Sequence, residues 1–213
     1  PILGFPERFT ANEWDIFLSG RATMLDAGRC NDRYFVNGMG LGFDAQVARE
    51  NYSNNNRVLD MTGRKSRYAW HIVKTIITYR EIPATMTCDG RTFERKAFLN
   101  TIAIGRRLAG GFYLTPLAFA DDGLFDVCIA DNMSLAKRVR GLVAVIRGKH
   151  TKNPMFSCFN AKKLSFDFGR EVPAHLDGEM YFNSKFDISI TPSALRVIYN
   201  PGGPHYFNRP STG

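Results

Sequence analysis

The sequence predicts a mainly β, α+β fold: an antiparallel β-sandwich or barrel with two or three peripheral helices. First, the 213 residues include 17 Phe and 8 Tyr, and aromatic residues favour strands. Second, Asp89-Gly90 separates two segments of strand character, which is a strong hairpin signal. Third, alternating segments fill most of the chain after residue 163. A run of hairpins with few helices is typical of a sandwich or barrel.

The amino-terminal third is predicted to contain helices and strands in alternation. Thr10 and Glu13 have the spacing of a capping box before helically spaced apolar residues, and Gly20 ends that run. The other elements predicted here are two strands within residues 23–35, a glycine-rich turn at 37–44 and a helix over 45–51.

The rest of the chain is predicted to be strands around two more helices. Polar residues 51–65 predict a surface loop, and helical spacing from Ser66 continues until Pro83. Ser134 precedes a helix over residues 135–147 that carries Lys137, Arg138 and Arg140. The predicted strands are 84–89, 91–104, 124–130, 163–168, 174–182, 186–190 and 195–199.

Composition limits the classes of function. Twenty-eight Lys and Arg against 20 Asp and Glu give a net charge of +8, which suits an anionic partner. No apolar run approaches the roughly 20 residues of a membrane span, and no signal-peptide pattern is present. The cysteines lack metal-ligand spacing, so we expect reduced core residues; they are Cys30, Cys88, Cys128 and Cys158.

Several motifs, in order, carry a resemblance to a known family. Residues 116–127, Pro-Leu-Ala-Phe-Ala-Asp-Asp-Gly-Leu-Phe-Asp-Val, fit a PxAxxxDGxxDV pattern, and Gly148-Lys149-His150 and Leu176-Asp177-Gly178-Glu179 fit GxH and DGE patterns. Residues 3–6 and 40–45 supply two further landmarks. Together these segments resemble the catalytic-domain family shared by bacterial diacylglycerol kinases and sphingosine kinases. Ile104-Gly105 departs from it, since the family usually has Asn-Gly there.

The resemblance implies that residues 1–213 are the carboxy-terminal β-sandwich domain of a two-domain lipid kinase. The family's GGDGT phosphate loop has no counterpart in this sequence, so we expect the amino-terminal nucleotide-binding domain to be absent and the chain alone to be inactive. The complete enzyme would transfer the γ-phosphate of ATP to a lipid hydroxyl. The resemblance therefore implies ATP as co-substrate, Mg²⁺ as cofactor and a lipid partner.

Two carboxylates of the DGE segment are the candidate catalytic groups. Phosphoryl transfer needs a positioned hydroxyl and a base that takes its proton. The functional interpretation assigns that base to Glu179, with Asp177 orienting it or supporting metal and phosphate. The alternatives are a hairpin turn with solvated acids and a base supplied by an Asp of the absent domain.

A cation site is the second candidate. Gly123 frees the backbone beside Asp122, so that neighbouring carbonyl groups can approach a hard cation. The resemblance implies a magnesium site formed by the Asp122 side chain and the carbonyl oxygens of Phe119 and Leu124. An ordinary Asx turn before a strand is the alternative.

Two basic groups are candidates for anion contacts. Arg64, Lys65 and Arg67 could meet ATP phosphates or a lipid head group, and a solvated basic loop is the alternative. A second group would suit an acidic bilayer, and cations favoured at a helix carboxyl end are the alternative. That group is Lys149, His150, Lys152, Lys162 and Lys163. His150 itself is expected to be structural.

Other functional classes stay open beside the lipid kinase. One is a small-molecule kinase domain related to NAD kinase, and another is a basic β-sandwich module that binds nucleic acid or carbohydrate. No interleaved basic and aromatic strand motif of the RNA-binding sort is present, so we expect no nucleic-acid partner. We expect a cytoplasmic protein attached peripherally to membranes. The acceptor lipid and a homo-oligomeric state stay open.

Overall fold

The structure is a computed structural model that describes the backbone of residues 2–53, 61–108 and 112–207, and the side chains of these ranges except 51–53 and 61–69. The helices are α1 (Ala11–Leu18), α2 (Phe43–Ser53), α3 (Met61–Thr78) and α4 (Leu135–Ile146). The strands are β1 (Ala22–Cys30), β2 (Arg33–Phe35), β3 (Gly38–Gly42), β4 (Ala84–Cys88), β5 (Arg91–Arg95), β6 (Ala97–Ala103), β7 (Phe125–Asp131), β8 (Phe156–Ala161), β9 (Lys163–Leu176) and β10 (Glu179–Ile198).

The ten strands form one antiparallel sheet, as the hairpin signals predicted. Its order is β2-β1-β10-β9-β3-β6-β7-β8, and β4 pairs with both β9 and β5. The mainly β, α+β fold class is confirmed. The long strands β9 and β10 have a register shift between Asn183 and Lys185, and such an irregularity lets a strand bend.

Two apolar cores lie on opposite faces of the sheet. One contains Met39, Leu41, Ile102, Val127 and Phe186, which the curled sheet encloses. The other is packed between the outer face of the central strands and helices α2, α3 and α4. Its members include Val47, Ile72, Phe98, Ala130 and Val145. Because side chains alternate along a strand, neighbouring residues of β6 and β7 contribute to different cores.

The predicted glycine-rich turn at residues 37–44 is wrong, because this segment is strand β3 followed by the first turn of α2. Met39 and Leu41 point into the enclosed core, so the glycines between them occupy the helix face. A Cβ on Gly40 would lie 1.9 Å from Asp44 Oδ2 and 2.5 Å from His175 Nε2. Glycine is therefore required there for α2 to approach the sheet.

Other boundaries also differ from the sequence-based expectation. The predicted loop at 51–65 is wrong at both ends, since α2 extends to Ser53 and α3 begins at Met61; residues 54–60 lie outside the described residues. Strand β8 was not predicted. The predicted strands 163–168 and 174–182 are replaced by continuous β9 and β10, joined at Asp177-Gly178.

Arg138 fixes α4 against the end of α3. Its guanidinium donates to the carbonyl oxygens of Ile76 at 2.8 Å and Tyr79 at 2.9 Å. It also pairs with Glu81 Oε1 at 2.6 Å and lies over the ring of Phe98. Arg138 thus faces inward and satisfies helix-end carbonyls, unlike the exposed Lys137 and Arg140 with which the sequence grouped it.

Candidate functional site

Asp177 occupies the tight turn between β9 and β10 and anchors the preceding part of the chain. Its Oδ1 accepts hydrogen bonds from the backbone N–H groups of Asn37 at 3.0 Å and Gly38 at 2.8 Å, and its Oδ2 accepts one from Val36 at 2.7 Å. Its own N–H donates to the Gly38 carbonyl at 2.9 Å. Both carboxylate oxygens therefore hold the β2–β3 connection, which is a positioning role.

Glu179 begins β10 and is exposed. Within the described residues its carboxylate has no hydrogen-bond or ion-pair partner, so a substrate can reach it. Glu179 pairs with Leu176, and Met180 pairs with His175. Because directly opposite residues share a face of the sheet, Glu179 and His175 lie on opposite faces at this end of the hairpin.

Asp122 forms an Asx turn, which is the alternative to a cation site that the sequence left open. Asp122 Oδ1 accepts a hydrogen bond from the Leu124 N–H at 3.0 Å. The buried Asp26 lies beside it and accepts hydrogen bonds from the N–H groups of Gly123 and Ser193, each at 2.7 Å. Burial raises the pKa of Asp122, and the charges of Asp26 and Asp121 raise it further.

This concentration of carboxylates suits a hard divalent cation, because a bound cation would offset the repulsion that raises the pKa of Asp122. Phe119 precedes the turn and Leu124 follows it, so both residues lie within three positions of Asp122 along the chain. No cluster of three or more His, Cys, Asp or Glu side chains with metal-binding geometry occurs among the described residues. A cation here would therefore rely on Asp122 and carbonyl groups, as the resemblance implies.

The structure separates the members of the second basic group, whereas it describes only the backbone of the first. Arg64, Lys65 and Arg67 lie on α3, and their side chains are outside the described residues. The second basic group is divided, because exposed Lys149 and Lys152 precede β8 whereas exposed Lys162 and Lys163 follow it. Six residues of strand separate these positions by about 20 Å.

His150 does not belong to a basic surface, so its inclusion in the second group is wrong. It is fully buried, its Nε2 lies 2.9 Å from the Leu114 carbonyl, and its ring packs against Phe156. Burial lowers the pKa of His150. The expectation of a structural histidine agrees with this placement.

An apolar cavity of about 60 Å³ lies between the sheet and the helices. Its volume is about that of two liquid water molecules. Helices α2, α3 and α4 and strands β6, β7 and β8 contribute its walls. Among the lining residues are Val47, Ile72, Leu99, Ala130, Leu142 and Phe156. Among the described residues, Asp44 is the only carboxylate in the wall.

Asp44 and His175 form a buried polar pair that the sequence did not reveal. Asp44 Oδ2 lies 3.4 Å from His175 Nε2, and both side chains are at most 6% exposed. Asp44 Oδ1 accepts a hydrogen bond from the Ala45 N–H, whereas Oδ2 accepts none within the described residues. The 3.4 Å contact with His175 Nε2 is longer than a typical hydrogen bond, so a closer hydrogen-bond donor on a ligand would stabilise this buried carboxylate oxygen.

One signal could have indicated this pair. Glycines at 38, 40 and 42 alternate with Met39 and Leu41, which is a strand pattern with one bare face. A bare face requires that something packs closely against it. Asp44 and His175 both occupy that space at Gly40.

The antiparallel sheet is covered by helices on its outer face and carries the DGE turn and the Asp122 turn at its strand ends, which defines a two-sided β domain. Comparison with known families matches residues 37–199 to the YegS C-terminal NAD kinase beta sandwich-like domain. The chain belongs to this family.

Relatives with curated names give the same placement. The diacylglycerol kinases of Staphylococcus aureus strains JH9 and Newman are each 26% identical over 167 residues, which is 78% of this chain and 51% of theirs. The chain therefore spans about half the length of the curated relatives it matches. The family and these relatives confirm the resemblance to the carboxy-terminal part of diacylglycerol kinases.

Solved structures share the fold. A crystal structure of a diacylglycerol kinase from Bacillus anthracis str. Sterne matches 95% of this chain and 62% of its own, with a TM-score of 0.64 and 17% identity. A second structure from that organism, of a candidate diacylglycerol kinase, has a TM-score of 0.72 and 21% identity, and the match covers 64% of its chain.

Proposed function

We propose that this chain is the lipid-binding half of an ATP-dependent lipid kinase and that it carries the catalytic base. The γ-phosphate would pass to a lipid hydroxyl of the diacylglycerol or sphingoid type. The apolar cavity beside Asp44 is the observation that carries this proposal beyond the family. Its wall is apolar on three helices and three strands, which favours a hydrocarbon chain over the polar dinucleotide that an NAD kinase relative would take.

The cavity must open to receive a whole acyl chain, since about 60 Å³ holds only a short part of one. Helices α3 and α4 are the elements that can separate, because among the described side chains they are joined by packing and by the hydrogen bonds of Arg138 to the end of α3. Binding of a chain would therefore displace α4 from α3.

We assign Asp44 and Glu179 to different groups of the lipid. Asp44 lies on α2 beside His175, whereas Glu179 and His175 lie on opposite faces of the β9–β10 hairpin. Asp44 Oδ2 would accept a hydrogen bond from a hydroxyl or amine next to the chain. Glu179 would take the proton of the hydroxyl that attacks ATP, and Asp177 would hold the turn. In the full-length protein, Glu179→Gln should lower kcat by about 100- to 10,000-fold. Asp44→Asn should mainly raise KM for the lipid.

The cation is proposed to have a structural role. Asp122 with the carbonyl oxygens of Phe119 and Leu124 would hold Mg²⁺ and order the turn before β7. A bound divalent cation supplies charge neutralisation to the acids around it. Asp122→Ala should abolish any rise in Tm on adding magnesium, by mass action on the folded state. An equal rise in the variant would place the cation elsewhere.

Lipid binding can be tested with the chain alone. Leu142→Trp fills the cavity from α4, and Ala136→Trp adds the same side chain at an exposed position of α4 that does not line it. A fluorescent single-chain lipid should bind the wild type and Ala136→Trp equally and Leu142→Trp at least tenfold more weakly. Equal binding by both variants would remove the cavity from the proposal. ATP turnover by the chain alone would contradict its role as half of an enzyme.

We also propose that the helix face rests on an anionic membrane. Trp70, Val73 and Ile77 on α3 and Leu135, Val139 and Ile146 on α4 are exposed apolar residues. Lys137, Arg140, Arg147 and Lys149 are exposed cations on or just after α4. Apolar side chains beside cations are the combination that binds acidic bilayers. No described helix is long and apolar enough to cross a membrane.

The two tryptophans of the chain offer a matched test of this surface. Trp70 is 64% exposed on α3, and Trp14 is 53% exposed on α1. With vesicles that contain phosphatidylserine, Trp14→Phe should show a blue shift from Trp70, whereas Trp70→Phe should show none from Trp14. A shift from Trp14 alone would place the membrane at α1. Binding of oligonucleotides in place of vesicles would favour the basic binding module.

A further inference from the structure

Two cysteines face each other across adjacent strands. Cys128 on β7 is paired directly with Cys158 on β8, and their Sγ atoms are 3.6 Å apart. Cys128 is fully buried, whereas Cys158 is exposed. Strand β8 stands at the end of the main strand order, so one sulfur of the pair is open to solvent while the other lies behind it.

The pairing of the two residues places their Cα atoms within the distance range of disulfides. Directly opposite residues of antiparallel strands have Cα atoms about 4.5–5.5 Å apart, which is inside the range of about 4.4–6.8 Å found across disulfides. Closing the bond requires only that the two sulfurs turn toward each other. Hydrogen bonding with Cys128 lowers the pKa of Cys158, and the same contact, with burial, raises the pKa of Cys128. Thiolate character is therefore concentrated on the exposed sulfur.

We propose that Cys128 and Cys158 are a redox modification site, in which a peroxide oxidises Cys158 and Cys128 then closes an intramolecular disulfide. In the first step the Cys158 thiolate attacks one oxygen of hydrogen peroxide, which forms sulfenic acid and releases hydroxide. In the second step Cys128 sulfur attacks the Cys158 sulfur, so that the S–S bond forms and the S–O bond breaks. The hydroxyl leaves as water with the Cys128 proton. Two electrons pass in total from the thiols to the peroxide.

The other two cysteines do not have this arrangement. Cys30 is buried, and burial raises its pKa to about 12, with the charges of Asp187 and Asp32 adding to the effect. Cys88 is half-buried, and burial raises its pKa as well. Neither lies opposite a cysteine in the sheet. They serve as internal controls for reactivity.

The bond would close a segment that forms part of the apolar cavity. Residues 129–157 include α4, and Ala130 and Phe156 line the cavity while pairing with each other two positions from the cysteines. A covalent link here restrains the strand that follows α4. Oxidation should raise Tm by several degrees, because the bond limits the unfolded chain. The further expectation that it slows lipid entry rests on the proposed function.

The test is chemical and independent of lipid binding. The pure chain is treated with hydrogen peroxide, free thiols are alkylated, and peptides are identified by mass spectrometry. The expected result is a peptide linking Cys128 and Cys158, with a mass about 2 Da below the sum of the reduced peptides because two hydrogens are lost. Cys30 and Cys88 should be alkylated.

Variants identify the order of reaction. Cys128→Ser should leave Cys158 as a sulfenic acid that a dimedone probe captures, and Cys158→Ser should leave Cys128 unoxidised. Cys30→Ser, checked for folding by circular dichroism, should form the bond as the wild type does. Oxidation of wild-type Cys158 to sulfinic acid without the linked peptide would overturn the proposal, and so would disulfides only between chains. A lipid-binding failure with the bond intact would count against the proposed function instead.

Discussion

Replacement of Asp177 tests whether the DGE turn is held by this carboxylate. The side chain accepts three backbone N–H groups, and a net hydrogen bond contributes about 1 kcal/mol. Asp177 also has a φ of +49°, a region that costs alanine about 1–2 kcal/mol and glycine almost nothing. Asp177→Ala should therefore lower the free energy of unfolding by about 4 kcal/mol and Asp177→Gly by about 3 kcal/mol.

The Asp177→Asn variant tests the effect of the carboxylate charge, because asparagine has nearly the same shape as aspartate. Its single carbonyl oxygen can retain the N–H groups of Asn37 and Gly38, but an amide nitrogen would face the N–H of Val36. Asp177→Asn should therefore cost about 1–2 kcal/mol. Glu179→Gln is the matched control, because an exposed side chain without a described partner should change stability by less than about 0.5 kcal/mol.

Urea unfolding followed by circular dichroism measures these differences, and a chain of this size should lose about 2–4 °C in Tm per kcal/mol. The expected order of stability is wild type, then asparagine, glycine and alanine. If all three variants match the wild type within about 0.5 kcal/mol, the carboxylate does not anchor the β2–β3 connection. If Asp177→Asn keeps its fold but loses all kinase turnover in the full-length protein while Glu179→Gln remains active, Asp177 is the base.

Three further predictions concern packing and charge. Gly40→Ala should lower the stability of the protein by about 1–3 kcal/mol through overpacking, because the added Cβ would overlap Asp44 and His175. Gly202→Ala is the control and should be neutral, since the nearest atom to its Cβ is 3.6 Å away. Equal Tm values for the two variants would show that the helix does not need glycine at position 40. Burial and the charge of Asp122 raise the pKa of Asp126 to about 6, so its contribution to stability is present at low pH and is lost as pH rises from about 4 through about 6. In Asp126→Asn, the fall in the free energy of unfolding between about pH 4 and pH 6, measured with urea, should be smaller by about 1–2 kcal/mol, a value that allows for solvent screening. The same fall in the variant and the wild type would contradict this. Arg138→Ala should lower the free energy of unfolding by about 3–5 kcal/mol, because Glu81 is left buried without its charge partner. Arg140→Ala, on the exposed side of α4, should leave stability unchanged. Similar losses of stability in both variants would show that Arg138 does not fix α4 against α3.

Local chemistry explains which elements the sequence predicted well. The helix after Thr10 begins as expected, and Glu13 accepts the Thr10 N–H at 2.8 Å. The hairpin at Asp89-Gly90 forms β4 and β5 with both turn residues at positive φ. These signals depend on residues within a few positions of one another, so they survive in the folded protein.

The missed features depend on contacts between distant parts of the chain. Strand β3 is composed of glycine at every second position, which has low strand propensity alone. It is a strand because β6 pairs with it on one side and β9 on the other. In the sequence, Arg138 is one of several cations on a predicted helix. That its side chain faces inward follows only from the contacts of α4 with the end of α3. The partnership of Asp44 with His175 is likewise a product of the sheet register.

The two faces of the sheet carry different kinds of residues. The enclosed face carries the large aliphatic and aromatic residues that stabilise the fold. The outer face has its own apolar core against the helices, but it also has glycines, a buried carboxylate and a cavity, which are costly for stability. Proteins commonly keep features that are costly for stability where these serve function, which agrees with the proposal that this face binds the lipid chain. The Asp177 turn connects β9 to β10, and its carboxylate holds the β2–β3 connection through three backbone N–H groups. It therefore ties β3 to the hairpin and positions Glu179 at the start of β10.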